Sequence, residues 1–113
     1  MTTDLKLVSA EVCPYAQRTR LALLEKGLDC EMVEIDLRNK PAWFAEVSPY
    51  SKVPVLLHGD VRVWESNIIN EYLDEAFPAP PLTPSSAAER AAMRIWIAHD
   101  DVKFVPATYK VLL

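Results

Sequence analysis

The chain of 113 residues has only two cysteines, Cys13 and Cys30, and their scarcity removes several classes of protein at once. Their separation suits neither a C-x-x-C dithiol nor a zinc knuckle, and the place where a dithiol motif would carry its second thiol is Ala16. His58 and His99 have no cysteine or carboxylate at ligand spacing, so no metal is expected. No apolar run reaches the roughly 18–20 residues of a membrane span, and no basic segment leads into an apolar one at the N-terminus. No membrane partner is therefore expected, and the expected location is cytoplasmic. Basic residues are scattered singly among acids at a formal net charge of −4, which leaves no nucleic-acid footprint. Internal repeats and low-complexity segments are also lacking. What remains is half apolar and a quarter charged, the make-up of a globular protein with room for one compact domain.

Cys13 stands directly before Pro14, where a short apolar strand turns into a helix. Pro at the first helical position sacrifices no hydrogen bond, which makes Cys13 the expected N-cap. The first N–H groups of a helix lack internal partners and carry partial positive charge, so an anion beside them is stabilised. A thiolate is such an anion, and cysteines at helix starts titrate at about 3.5–7.5 instead of about 8.5. Cys30, after Gly27, reads as a buried strand residue.

Leu5 to Val8 alternate like a strand, and from Pro14 the period becomes helical. Ala16, Leu21, Ala22 and Leu24 share its expected inner face, Arg18 and Arg20 read as solvated or ion-paired, and Gly27 is the expected C-cap. Cys30 to Ile35 reads as a second strand, so the unit is a parallel crossover. Pro41 opens a short helix or turn with Trp43 and Phe44. Val53 to Leu57 and Val61 to Trp64 form an expected hairpin around His58-Gly59-Asp60. Ser66 opens a helix with Ile68, Ile69, Tyr72, Leu73, Ala76 and Phe77 on one face. Pro78 to Pro84 reads as a semi-rigid linker. Ser86-Ala87-Ala88-Glu89 then has capping-box spacing for a further helix carrying Ile95, Trp96 and His99. Phe104-Val105-Pro106 reads as a stretch beyond that helix, followed by an apolar tail.

This order, with an X-Pro step at the start of the third strand, resembles the thioredoxin fold, in which the Val53-Pro54 bond would be cis. Three segments narrow the likeness: Cys13 to Arg20, Asn39 to Phe44, and Glu65 to Pro78. Together they resemble the N-terminal domain of an omega-class glutathione transferase, from the first strand into the first helix of the following all-helical domain. The implied α/β architecture is a four-stranded mixed sheet with helices over residues 1–77, a linker over 78–84, and the start of an incomplete helical domain over 85–113.

The resemblance implies glutathione as co-substrate, with Cys13 as the catalytic thiol. Ser66, at a helix start, suits the γ-glutamyl carboxylate, and Glu65 the amine. Val53 would offer its backbone to the cysteinyl residue as an added strand does. Lys40 matches the family lysine that approaches the glycyl carboxylate. With a cysteine in the active position, thiol transfer or dehydroascorbate-type reduction of a small oxidised or electrophilic substrate is expected rather than conjugation. Two other classes share features: a non-catalytic transferase-like interaction module, and a stand-alone glutaredoxin-like oxidoreductase. The sequence departs from the family pattern at Ser51-Lys52, where many relatives have a glycine, and in how little of the helical domain follows. The chain is thus expected to be a fragment or a short protein whose exposed helix is covered by a second copy or another partner.

Overall fold

The computed structural model describes residues 4–112. These fall into two compact units that divide after Pro80. The first contains β1 (Leu5–Ser9), α1 (Pro14–Lys26), β2 (Glu31–Glu34), α2 (Phe44–Val47), β3 (Val55–His58), β4 (Val61–Trp64) and α3 (Ser66–Ala76). Its four strands lie in the order β2-β1-β3-β4. β1 runs parallel to β2, with Leu7 opposite Met32, and antiparallel to β3, with Leu7 opposite Leu56. The β3–β4 hairpin sets Val55 opposite Trp64 and turns through Gly59 at φ 59°, a left-handed angle that glycine adopts without steric cost. This is the expected mixed sheet.

The central strands are buried on both faces, which explains their nearly continuous apolar runs. Leu5, Leu7 and Leu56 join Leu23 of α1 and Ile69 and Leu73 of α3 in one cluster. Val8, Ala10 and Val55 join Ala16, Ile35 and Phe44 of α2 in the other, together with Cys13 and Val53. The period of two in β1 thus assigns alternate side chains to the two halves of the core.

α1 ends as expected, with Gly27 at φ 64° and its N–H turned back on the last turn. Its inner face is not the expected one. Leu21 and Leu24 are exposed, while Thr19, Leu23 and Lys26 are buried beside Ala16 and Ala22. The charge at Lys26 is tolerated because its ammonium reaches Asp74 Oδ1 and the Pro80 carbonyl, each at 2.7 Å. Met32 is likewise exposed, and Ile68 of α3 points to solvent. Cys30 is only half-buried and precedes β2 rather than lying inside it.

The second unit contains α4 (Ala87–His99), a π-helical turn (Asp100–Phe104) and α5 (Val105–Leu112). Ser86 caps α4 by accepting the Glu89 N–H at 3.1 Å and donating its hydroxyl to Glu89 Oε1 at 2.8 Å. His99 lies edge-on against Trp96. The stretch around Pro106 is helical, with Pro106 in the first turn of α5. Pro106 has no N–H to return to the preceding turn, and the helix widens just before it, with the Val105 N–H bonded to the Asp100 carbonyl. No helix among the described residues is long and apolar enough to cross a membrane.

Candidate functional site

α1 begins where β1 ends, across a tight turn in which the Cys13 N–H donates to the Ala10 carbonyl at 3.0 Å. Cys13 is the N-cap of α1, with Pro14 following and extended backbone angles, and its side chain makes no capping hydrogen bond to the helix. The thiol is buried and lies 3.9 Å from the Val53 carbonyl, to which it donates. Val53 precedes Pro54 across a cis peptide bond, as the fold resemblance implied. Cys13 and Val53, 40 positions apart in sequence, are therefore neighbours.

Ser66 and Glu65 occupy the start of α3, which packs along α1. Ser66 is buried, whereas Glu65 is exposed at φ 73°. A non-glycine residue at that angle carries local strain, and such strain gathers at binding sites. The Glu65 carbonyl accepts the first helical bond, from Ile69 at 2.9 Å. Lys40 is exposed, and its ammonium donates to the Ser51 carbonyl at 3.0 Å, two positions before Val53. Ser51 itself has φ 53°, which is the angle a glycine in that loop would favour. Ser48 closes the same loop by accepting the Lys52 N–H at 2.9 Å and donating to the Lys52 carbonyl at 2.7 Å.

Two arginines expected to be solvated or ion-paired prove to be partly buried parts of this region. Arg18 Nη1 donates to Asn67 Oδ1 at 3.1 Å and to Ser66 Oγ at 3.4 Å, and its guanidinium lies 5.0 Å from the centre of the Tyr15 ring. A cation thus stands beside the start of α3, a helix end whose own partial charge is positive. The signal was the spacing: Tyr15 and Arg18 are three apart on a helix and so share a face. Arg20 bonds to three consecutive residues before Cys13: Ser9, Ala10 and Glu11.

Cys30 lies elsewhere, in a cavity of about 370 Å³ lined by Asp4, Leu5, Lys6, Asp29 and Glu31. Partial burial, and secondarily the Glu31 carboxylate, push its thiol up to about 11, which suppresses the thiolate at neutral pH. Among the described residues no group of three or more His, Cys, Asp and Glu side chains is placed to hold a metal ion.

Residues 7–81 match the family described as glutathione S-transferase, N-terminal domain. Over 87 residues the chain is 49% identical to a probable glutathione transferase of Aplysia californica, a match covering 77% of this chain and 95% of that one. It is 41% identical over 93 residues to glutathione S-transferase omega-1 of Rattus norvegicus, covering 81% of this chain and 39% of the rat protein. A rice glutathione S-transferase solved in complex with glutathione has a TM-score of 0.82 and 42% identity, covering 89% of this chain and 48% of that one. The present chain thus spans less than half the length of the rat and rice proteins.

Proposed function

The chain belongs to the glutathione S-transferase family, and from that premise we propose that it binds glutathione and uses Cys13 as a single-thiol nucleophile in glutathione-dependent thiol transfer. The observation that carries this reading is the position of the Cys13 sulfur, at the start of α1 and against the Val53 carbonyl, with no second cysteine at Ala16. The γ-glutamyl group would sit at the start of α3, its carboxylate on Ser66 and the first N–H groups and its amine on Glu65. The Arg18 cation nearby favours the carboxylate. The cysteinyl residue would pair with the backbone of Val53, bringing the glutathione sulfur to Cys13. Lys40 would take the glycyl carboxylate with the donors that Ser51 leaves over, since an ammonium has three.

In the reaction, the Cys13 thiolate attacks the glutathionyl sulfur of a mixed disulfide, and the other partner leaves as a thiolate that takes up a proton. Cys13 is left as a mixed disulfide with glutathione. A second glutathione thiolate then attacks that disulfide, forming oxidised glutathione and returning Cys13 as thiolate. An external thiol does the resolving because the chain has none at position 16. Reduction of a dehydroascorbate-type substrate is the nearest variant. The reading also includes a cytoplasmic location, where glutathione keeps thiols reduced, and a homodimer or other partner over the exposed Ile95 and Trp96 of α4.

Incubation with a glutathione mixed disulfide is expected to add one glutathionyl group at Cys13, removable by glutathione and lost in Cys13→Ser. Ser66→Ala is expected to weaken glutathione binding about tenfold, the loss of one charge-assisted hydrogen bond, with circular dichroism unchanged. A folded wild type that gains no glutathionyl group at Cys13 would end the proposal.

A further inference from the structure

Arg20 does nothing in the proposed chemistry, yet it is tied to the segment that carries the nucleophile. It stands seven positions after Cys13, about two helical turns or 10 Å along the axis. Side chains on a helix lean toward its N-terminus, so the guanidinium runs back to the β1–α1 turn. There Nη1 donates to Ser9 Oγ and to the Ala10 carbonyl at 3.1 Å, and Nη2 donates to the Glu11 carbonyl at 3.2 Å. The Ala10 carbonyl is the same acceptor that receives the Cys13 N–H, so both of its lone pairs are engaged. On the other side of the Glu11 residue, the Glu34 carboxylate at the end of β2 accepts the Glu11 N–H. The Ser9 carbonyl is held in turn by the Ile35 N–H at 2.9 Å. The turn before Cys13 is therefore gripped by a cation from α1 and an anion from β2.

We infer that Arg20 and Glu34 are positioning residues for Cys13, holding the Ser9–Glu11 segment so that the thiol stays at the start of α1 and against the Val53 carbonyl. The inference rests on the proposed role of Cys13. Thiol–disulfide exchange needs three sulfurs nearly in line, and a displacement of about 1 Å in such a geometry can cost a hundredfold in rate. A planar guanidinium suits the task because its donors are fixed in a fork that spans acceptors on successive residues, whereas an ammonium is a compact point donor.

The test compares wild type, Arg20→Gln, Arg20→Lys, Glu34→Ala and Cys13→Ser. The readouts are the iodoacetamide rate at Cys13 across pH, with Cys30 as internal reference, and glutathione affinity measured apart from turnover of a glutathione mixed disulfide. In Arg20→Gln the Cys13 rate and the turnover are expected to fall about tenfold, with glutathione affinity and the Cys30 rate unchanged. Arg20→Lys should fall between it and wild type, and Glu34→Ala should shift in the same direction. A purely structural role would lower thermal stability without separating turnover from affinity. Folded Arg20→Gln and Glu34→Ala proteins with wild-type Cys13 rates would overturn the inference while leaving the proposed function intact. If Arg20→Gln does not fold, the exposed Glu34→Ala site decides by the same criterion. A wild type whose Cys13 takes up no glutathionyl group would overturn the proposed function and this inference with it.

Discussion

Removing the Asp74 carboxylate should damage this protein more than removing the lysine it pairs with. The Lys26 side chain is 0% exposed and that of Asp74 12% exposed. In Asp74→Ala the ammonium would stay buried with the Pro80 carbonyl in reach but without its counter-charge, a change that costs about 3–5 kcal/mol. Lys26→Met leaves instead a carboxylate at the edge of solvent, where water can reach it, and should cost about 1–3 kcal/mol. Against a total stability of about 5–15 kcal/mol, the first loss is severe. It corresponds to a fall in Tm of at least about 12 °C, at about 4 °C per kcal/mol. Urea unfolding of both single variants and of the double variant would measure the asymmetry and the coupling. Because the pair is buried, its contribution should change little between low and high salt. The pair joins the far ends of α1 and α3, whose near ends carry Cys13 and Ser66, so glutathione affinity should fall in parallel. A cost below about 1 kcal/mol for Asp74→Ala, or strictly additive single losses, would refute the argument.

The Cys30 thiol should respond only at alkaline pH. Burial and Glu31 raise Cys30 from 9.0 to about 11, so its alkylation should be slow at neutral pH and climb only toward pH 11. Glu31→Gln should move that rise to lower pH, and a Cys30 rate independent of pH would contradict the cause. Since the folded value lies above the ordinary one, the associated stabilisation is complete below about pH 9 and is lost as pH rises through about 11. Cys30→Ser should flatten that alkaline limb of the unfolding curve. Ser51→Gly should raise the urea midpoint slightly: relief of a left-handed angle at φ 53° is worth about 1–2 kcal/mol, offset by about 0.4–1 kcal/mol of added freedom in the unfolded chain. A lowered midpoint would show that the Ser51 side chain stabilises the loop.

The elements with strong period and explicit punctuation were legible in the sequence. Pro14 and Gly27 bracket α1, the alternation in β1 and β3 marks the sheet, and Ser86 with Glu89 caps α4. The inner face of α1 was not legible, because periodicity counts Leu21 and Leu24 as core and cannot know that Asp74, 48 positions after Lys26, will neutralise a buried charge. Pro106 falls in the first turn of α5, where its missing N–H costs least, and the π-turn from Asp100 to Phe104 precedes it. Of the site, the positions of Cys13, Val53 and Ser66 followed from local rules about helix starts and from family likeness. The acceptors of Arg18 and Arg20 did not, since an arginine on an amphipathic helix reads only as solvated or ion-paired until its partners are known. Those acceptors are on α3 for one and on the β1–α1 turn for the other.

α1 therefore does more than present Cys13. One face of its first turns sends Arg18 to Ser66 and Asn67, Arg20 returns to the turn that precedes Cys13, and Lys26 fixes its last turn to α3. The start of α3 is also tied to α1 by Asn70, whose amide reaches the Arg18 carbonyl at 3.5 Å. Two helix starts, whose first N–H groups have no acceptor within the helix and carry partial positive charge, are thus held by polar links at both ends of the helix pair. In the proposed binding mode of glutathione, with its thiol in the middle and a carboxylate at each end, such a pair would supply one anion site for the γ-glutamyl carboxylate and another for the reacting sulfur. The separation of those two sites depends on how firmly α1 and α3 are locked. If glutathione binds as proposed, loss of the Lys26–Asp74 link should then impair its binding, although neither side chain is among the residues proposed to contact it.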